Sequence, residues 1–305
     1  MAPSLVRAQA FDPKLLPPTS LTPNPAPLAP AAQPPGSVVN TAADESDRMT
    51  VPVMLNGFGP FPFVVDTGSN RSVVSDVLAN QLNLPMSEVL RVHSATGVVS
   101  TGSVHIDSLS VGRRHISNIT APVLTAYNLG ALGMLGIDAV ADQRIVMDFR
   151  RHQMSLTTGV HSEDSPGVVV VRARSKYGQL LLVDSWVEGI PLYVIIDTGG
   201  EVTIGNLAMR RMLAKRRSGY PEPVKVTSVT GETIIADLSF LPQVRLGNIS
   251  MSNLQVAYAD MYAFEQFGLQ DKPSMLLGMS TLRHFDRVSI DFPAREVRFN
   301  LVGDI

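Results

Sequence analysis

The sequence contains no cysteine, and this absence excludes several kinds of site. Without a thiol the chain has no disulfide bond, no zinc–thiolate centre and no cysteine nucleophile. Its six histidines are scattered and include no His-x-x-x-His pair, a spacing that is common among zinc ligands. We therefore infer no metal site and expect no cofactor.

The chain also lacks long apolar runs and a strong net charge. No stretch approaches the ~18 consecutive apolar residues of a membrane-spanning helix, so we predict no membrane span. The formal net charge of −2 provides no strong field to attract nucleic acid, and we expect no nucleic-acid partner. The 305 residues, 45% hydrophobic and 17% charged, suffice for two lobes with ordinary cores.

Proline and alanine are concentrated near the N-terminus, as in the sequence Pro-Asn-Pro-Ala-Pro at residues 23–27. Because proline lacks a backbone N–H, we predict that residues 1–48 build no β-ladder and form an extended or disordered arm. Within it, Ala8-Gln9-Ala10 has the small-x-small form of a signal-peptidase site, although no apolar segment precedes it. Two interpretations stay open: low-complexity sequence, or the remainder of a signal peptide, which favours an exported or periplasmic protein over a cytoplasmic one.

The tripeptide Asp-Thr-Gly occurs twice, at Asp66-Thr67-Gly68 and at Asp197-Thr198-Gly199. Each copy follows an apolar run, at residues 61–65 and 192–196, of the kind that forms a buried strand. A carboxylate at the end of a buried strand costs free energy unless it is neutralised or used. Two such carboxylates, each followed by a glycine turn, indicate one shared site built from two similar halves.

The similarity between the halves extends well beyond the tripeptide. In both, a turn and a proline precede the motif, while a Thr-Gly turn, a Leu-Gly pair and a strand ending in Asp-Phe follow it in the same order. Such a pattern indicates a tandem duplication of one β-rich unit, which we place at residues 49–160 and 161–305. The paired landmarks are Thr96-Gly97 with Thr230-Gly231, Leu135-Gly136 with Leu277-Gly278, and residues 144–149 with 287–292.

Two neighbouring carboxyl groups can activate water without a metal or a covalent nucleophile. Like charges a few ångström apart cannot both ionise easily, so one pKa falls and the other rises. The ionised carboxyl then acts as a general base and the protonated one as a general acid. We predict that Asp66 and Asp197 form such a pair, and the sequence leaves open which of them holds the proton.

The other motif residues have physical roles that suit such a pair. Gly68 and Gly199 allow a sharp turn that aims backbone N–H groups at the carboxylates. The hydroxyls of Thr67 and Thr198 can hydrogen-bond across to the opposite strand and hold the two aspartates at a fixed separation. The glycines of the two Leu-Gly pairs suit a position where another segment passes closely.

With these motifs the chain resembles the aspartic peptidases, the pepsin and retropepsin superfamily, over roughly residues 50–303. It is most similar to bacterial single-chain members with two retropepsin-like repeats. The resemblance implies an all-β, bilobal fold with two similar lobes of the six-stranded β-barrel type and a few short helices. It also implies that Asp66 and Asp197 are catalytic, and that the hairpins around Thr96-Gly97 and Thr230-Gly231 are flaps over the cleft.

Two departures from the pepsin pattern stand out. Pepsin-like enzymes have a serine or threonine after the motif in both lobes, where its hydroxyl bonds the outer carboxylate oxygen. Ser69 fits this pattern but Gly200 does not, so we expect Asp197 to lack a hydroxyl partner and to favour its neutral form. The first flap also lacks the tyrosine that pepsins carry there.

The sequence therefore predicts an aspartic endopeptidase that hydrolyses peptides or partly unfolded proteins in an extended conformation. Because both carboxyls belong to one chain, the site needs no second copy, and we expect a monomer. The alternative is a catalytically silent peptide-binding module with the same fold. The preferred side chains, the pH optimum and the flap that closes stay open at this stage.

Overall fold

A computed structural model describes residues 37–40, 42–43, 48–112, 114–157, 168–214 and 222–301. Most of the predicted arm, including Ala8-Gln9-Ala10, lies outside these residues, as does the connection at residues 158–167. The described chain is mostly strands with a few short helices, in two β-rich lobes, which confirms the predicted all-β, bilobal class. Within these ranges no helix has both the length and the apolar character needed to cross a membrane.

The first half of the described chain consists of short strands with brief helical segments between them. The strands are β1 (Ser37–Asn40), β2 (Ala42–Ala43), β3 (Met49–Leu55), β4 (Phe58–Val65), β5 (Val73–Ser75), β6 (Met86–His93), β7 (Val98–Val111), β8 (Arg114–Leu124), β9 (Gly133–Leu135), β10 (Arg144–Asp148) and β11 (Gln153–Thr157). The helical segments are α1 (Asp76–Gln81), α2 (Ala126–Leu129) and a 3-10 turn at Ile137–Ala139.

The second half repeats this succession. Its strands are β12 (Val168–Lys176), β13 (Gln179–Leu182), β14 (Ser185–Val187), β15 (Ile190–Pro191), β16 (Tyr193–Ile196), β17 (Ile204–Gly205), β18 (Glu222–Thr227), β19 (Thr233–Leu246), β20 (Ile249–Tyr258), β21 (Ser274–Leu277), β22 (Arg287–Asp291) and β23 (Glu296–Asn300). Its helices are α3 (Leu207–Leu213), α4 (Tyr262–Gln266) and α5 (Met279–Leu282).

Equivalent strands pair in the same order in the two lobes. In the first lobe the order is β3-β4-β9-β5-β8-β7, and β7 also pairs with β3, so the ladders connect six strands in a ring. In the second lobe β16, β21, β17, β20, β19 and β14 follow one another in the corresponding order. Each Asp-Thr-Gly strand, β4 or β16, therefore lies parallel to the strand that ends in Leu-Gly, β9 or β21.

Six antiparallel strands join the lobes, in the order β1-β11-β10-β22-β23-β12, and β12 also pairs with β13 of the second lobe. At its centre Val146 of β10 pairs with Ser289 of β22. Arg144 pairs with Asp291, and Asp148 pairs with Arg287, so corresponding residues of the repeat exchange places across the ladder. This register has the local symmetry of a two-fold axis, which brings equivalent parts of the two halves face to face.

The prediction that residues 1–48 build no ladder is wrong for the end of this segment. Ser37–Asn40 pairs with β11, just as Val168–Arg172 pairs with β23 in the second half, and Ala42–Ala43 pairs with β3. The physical reason is local, since the sequence from Ser37 to Asn40 contains no proline and all its N–H groups can donate. These two short strands therefore belong to the described sheets although they lie within the predicted arm.

The largest apolar cluster includes residues from both lobes and from the joining sheet. Ile145 and Ile290, which pair across the β10–β22 ladder, are both fully buried in it. Truncating one such side chain to alanine typically costs about 2–5 kcal/mol. The core thus fixes the two lobes against each other, which matters because each lobe contributes one aspartate.

Candidate active site

The two motif aspartates begin equivalent turns at the ends of buried strands. Asp66 follows β4 and donates its backbone N–H to the carbonyl of Leu135 at 2.9 Å. Asp197 follows β16 and donates to the carbonyl of Leu277 at 3.1 Å. Because these acceptors are the leucines of the two Leu-Gly pairs, each half anchors its aspartate in the same way.

Thr67 and Thr198 form the predicted cross-bonds between the lobes. The hydroxyl of Thr67 donates to the carbonyl of Ile196 at 3.0 Å, and that of Thr198 donates to the carbonyl of Val65 at 2.7 Å. Each hydroxyl also accepts the other threonine's backbone N–H, at 3.0 Å from Thr67 and 3.3 Å from Thr198. Both side chains are buried, so these bonds hold the strands before the two aspartates in a fixed relation.

The motif glycines leave room for the opposite carboxyl group. A Cβ atom at Gly199 would lie 2.2 Å from Cγ of Asp66, and one at Gly68 would lie 2.9 Å from Oδ1 of Asp197. At both positions a side chain would displace the aspartate of the other lobe. Each glycine is thus required by close approach of the two motifs rather than by a left-handed backbone.

The two carboxyl groups meet at Gly68, where a Cβ atom would lie 2.9 Å from Oδ1 of Asp197 and 3.0 Å from Oδ1 of Asp66. Backbone amides surround them: the N–H of Gly68 donates to Oδ1 of Asp66 at 2.7 Å. The N–H groups of Gly199 and Gly200 donate to Oδ1 of Asp197 at 3.2 and 3.0 Å. This arrangement allows the two carboxyls to share one proton, and the oriented amides stabilise the negative charge.

Burial has a strong effect on the ionisation of both aspartates. Loss of solvent, together with the neighbouring charge of Asp197, raises the pKa of Asp66 from its ordinary 3.8 to about 7. Burial also raises the pKa of Asp197, while amide hydrogen bonds from Gly200 and Gly199 act in the opposite direction. Because each group affects the ionisation of the other, they titrate as one pair, which retains a proton up to about neutral pH.

Ser69 supports the pair differently from the prediction. Its hydroxyl donates to the carbonyl of Arg71 at 2.8 Å and not to Asp66, although its backbone N–H lowers the pKa of Asp66. The expected asymmetry between a hydroxyl at Ser69 and none at Gly200 therefore does not exist at the carboxylates. The hydroxyl is used in the local turn because the Arg71 carbonyl is the acceptor within reach.

The glycines of the two Leu-Gly pairs mark a close crossing of segments, as predicted. A Cβ atom at Gly136 would lie 2.4 Å from the backbone of Arg71, and one at Gly278 would lie 2.6 Å from the carbonyl of Val202. The residues that follow them bond back to the motif turns, Ile137 to Ser69 and Met279 to Gly200, each at 2.8 Å. The crossings hold the turns that carry the aspartates.

The predicted flaps are the hairpins β6–β7 and β18–β19, called here the first and second flap. The tip of the first flap contains Thr96-Gly97, and the tip of the second contains Thr230-Gly231. The tips touch each other, because Oγ1 of Thr96 donates to a carboxylate oxygen of Glu232 at 2.5 Å. The two hairpins therefore meet at their tips.

Each flap also packs on the opposite lobe. Ala95 of the first flap contacts an apolar cluster of the second lobe that includes Phe264, and His93 stacks on Tyr262 with ring centroids 5.9 Å apart. Val229 of the second flap contacts a first-lobe cluster of Val73, Leu124, Leu129 and Met134. Each hairpin thus connects its own lobe to the other.

An aspartyl protease family model matches the sequence twice, at residues 51–139 and 183–281. The two matches together cover more than half of the chain, and each contains one Asp-Thr-Gly motif. The chain belongs to the aspartyl protease family. A search of the curated proteins finds no match.

In this aspartyl protease, two polar residues near the motif turns were not singled out in the sequence. Arg48 is buried at the start of β3 and donates to the carbonyl of Leu129, while Gln179, also buried, donates to the carbonyl of Gly68. Arg48 directly precedes β3 and Gln179 begins β13, and the pairing of these strands with β4 and β16 is visible only in the folded chain. Among the described residues, no three histidine, aspartate or glutamate side chains group so as to hold a metal ion.

Proposed function

We propose that this aspartyl protease is an endopeptidase in which Asp66 and Asp197 activate one water molecule for direct attack on a peptide carbonyl. The ionised carboxyl takes a proton from the water as its oxygen bonds to the carbonyl carbon. The protonated carboxyl donates its proton to the carbonyl oxygen, which gives a neutral tetrahedral diol. The pair exchanges the roles of acid and base in this step and stays singly ionised.

Breakdown of the diol returns the pair to its starting state. The carboxyl that gained a proton donates it to the amide nitrogen, and the carbon–nitrogen bond breaks. The other carboxyl takes a proton from a diol hydroxyl, so the new carbonyl forms and the amine leaves. No covalent bond to the protein forms at any step, which agrees with a chain that has no cysteine and no triad among the motif residues.

The single observation that carries this proposal is the buried pair of adjoining carboxyls, which the threonine cross-bonds hold in a fixed relation. Burial of two acids costs free energy, and a shared proton reduces that cost while creating an acid and a base side by side. The raised pKa values support a singly protonated pair over a range that extends to about neutral pH.

The two β-hairpins that reach across the lobes support an extended substrate. Backbone groups at the flap tips and along their strands can pair with a peptide in strand conformation, so that its main chain gives affinity. A folded protein cannot place its backbone between two hairpins that each reach the opposite lobe. We therefore propose peptides and unfolded segments as substrates, and one chain as the functional unit.

The test compares the wild type with Asp66→Asn on a library of unstructured peptides across pH 3–8, with binding measured in parallel. The account expects cleavage by the wild type, loss of cleavage in the variant and retained binding. If the wild type binds peptides but cleaves none at any pH, the silent peptide-binding module replaces the enzyme. A defined shortening of the chain that Asp66→Asn blocks would instead identify self-processing.

A further inference from the structure

The β-ladders place different residues opposite the two aspartates. In the first lobe Thr50 pairs with Val64, and extending this register by two residues puts Arg48 opposite Asp66. In the second lobe Leu181 pairs with Ile195, and the same extension puts Gln179 opposite Asp197. Residues opposite each other in an antiparallel pair have side chains on the same face. The repeat therefore has a permanent cation at one of these positions and a neutral amide at the other.

Both side chains are held in place rather than free in solvent. Arg48 is only 7% exposed, and its guanidinium donates to the carbonyl of Leu129 at the end of α2. Gln179 is 8% exposed and donates to the carbonyl of Gly68, in the motif turn of the other lobe. A buried arginine cannot lose its charge, so this half of the repeat carries a fixed positive charge that the other half lacks.

Other ionisable groups lie on the segments around the aspartate pair. The carboxylate of Asp138 accepts hydrogen bonds from Ser72, and that of Glu232 accepts one from Thr96 at the tip of the first flap. Arg48 differs from these groups because its charge acts on both aspartates and lowers the pKa of each, against the larger effect of burial. The groups on the motif turns and the crossing segments are Arg71, Glu201 and Asp138, and those nearest the flap tips are His93 and Glu232; the rest of the flap hairpins carry Glu88, Arg91, His105, Asp107, Glu222, Lys225, Asp237 and Arg245.

We propose that Arg48 is a positioning residue whose fixed cation, opposite Asp66, keeps the aspartate pair singly ionised in more acidic solution than a neutral side chain would. The inference rests on the proposed peptidase function. Arg48 does not touch the substrate in this account; it acts through the pair.

The field of a cation has a characteristic effect on a pair that ionises in two steps. The cation favours loss of the first proton, and this step creates the active, singly ionised pair. The cation also favours loss of the second proton, and this step converts the active pair into an inactive, doubly ionised one. Removing the cation therefore moves both sides of a bell-shaped activity profile toward higher pH. A purely structural role would lower the height of the profile and leave its position unchanged.

Arg48→Gln is the natural test, because it gives the first lobe the side chain that the second already carries. We expect both sides of the profile of kcat/KM against pH to move up by about one pH unit. Arg48→Lys retains the charge and should leave the profile close to that of the wild type. Arg114→Gln removes an arginine that pairs with Asp142 at 2.7 Å, away from the motifs, and should move nothing.

A second measurement does not depend on catalysis. The side-chain carboxyl carbons of Asp66 and Asp197, assigned in NMR spectra with Asp66→Asn and Asp197→Asn, can be titrated in the full chain. In Arg48→Gln we expect both midpoints to rise. Unchanged midpoints, or an equal shift in Arg48→Lys, would overturn the proposal for Arg48. If the wild type cleaved nothing while the midpoints shifted as expected, the proposed function would fail and the role of Arg48 on the pair would stand.

Discussion

Thr96 of the first flap donates a hydrogen bond of 2.5 Å to the carboxylate of Glu232 in the second. The repeat equates Thr96-Gly97 with Thr230-Gly231, so this contact joins two positions that are not equivalent in the duplication. The two flaps are therefore similar in shape but different in chemistry. A hydrogen bond between the tips can hold the two flaps together in the absence of substrate, and the flaps can separate at a small cost in free energy.

The contact between the flap tips should control how far apart the flaps lie. Thr96→Val removes the hydroxyl that Glu232 accepts and should add a population with separated flaps, since one hydrogen bond to a charged group contributes about 1.5–3 kcal/mol at most. Because the chain has no native cysteine, spin labels can be attached at Ser100→Cys and Lys225→Cys and their separation measured by electron paramagnetic resonance.

The matched control for this experiment lies within one flap. Thr227→Val breaks a contact of 3.1 Å with Thr233 that does not join the two hairpins, and should leave the distance distribution as in the wild type. If the distance distribution of Thr96→Val equalled that of the wild type, the hydrogen bond between Thr96 and Glu232 would not be what holds the flaps together.

The threonine cross-bonds should contribute to stability as well as to geometry. Thr198→Val leaves the buried carbonyl of Val65 and the N–H of Thr67 without the Thr198 hydroxyl, at a cost of about 1–3 kcal/mol for each unsatisfied group. Urea unfolding should show this loss, and activity should fall with it. Thr198→Ser keeps the hydroxyl and should recover most of both, whereas a valine variant as stable as the wild type would contradict the assigned bonds.

A methyl group at Gly199 should disrupt the aspartate pair. Gly199→Ala places Cβ 2.2 Å from Cγ of Asp66, so the carboxyl must move and kcat should fall by about 10²-fold or more. Gly102→Ala is the control, because its Cβ meets only the flexible end of Met86, at 3.1 Å. Peptide cleavage by purified, folded variants measures both effects. Comparable activity in the two variants would refute the close packing of the motifs.

Stability should fall as pH rises through the range in which the pair ionises. The pKa of Asp66 is raised to about 7 in the folded chain, above its ordinary 3.8, so the folded state binds more protons between these values. The contribution is complete below about pH 4 and is lost as pH approaches 7, amounting to roughly 2–4 kcal/mol. Urea unfolding at pH 4 and pH 7.5 measures it.

Asp66→Asn removes this group and should show a smaller loss of stability between the two pH values. Asp142→Asn, at a side chain that is 62% exposed, should behave like the wild type. If Asp66→Asn lost as much stability as the wild type over this range, the aspartate pair would not be the source of the pH dependence.

Much of the site could be predicted because short sequence patterns within each repeat determine it. The Asp-Thr-Gly turns, the cross-bonding threonines, the Leu-Gly crossings and the flap hairpins each depend on short patterns of strand, glycine and threonine. The duplication then implied that two equivalent turns meet. The boundary between the two lobes stays a prediction, since the connecting residues 158–167 lie outside the described structure. The exported or periplasmic location of the protein also stays a prediction, since most of the arm lies outside it.

The features that were missed depend on partners distant in sequence. Pairing of Ser37–Asn40 with β11 needs the free edge that the joining sheet provides, and four residues after a proline-rich segment do not reveal that edge. The hydroxyl of Ser69 donates to the carbonyl of Arg71, which only the folded turn brings within its reach. The role of Arg48 could be inferred only from the ladder register, which puts it opposite Asp66, 18 positions later in the sequence.

The most direct test of shared catalysis is product analysis after cleavage of an unstructured peptide in water enriched in ¹⁸O. With the wild type below neutral pH, the account predicts one solvent oxygen in each newly formed carboxylate. Asp66→Asn and Asp197→Asn, both verified as folded, should each lower the rate by about 10²–10⁴-fold or more. Cleavage that continues at the wild-type rate after either substitution would contradict a mechanism that needs both carboxyls.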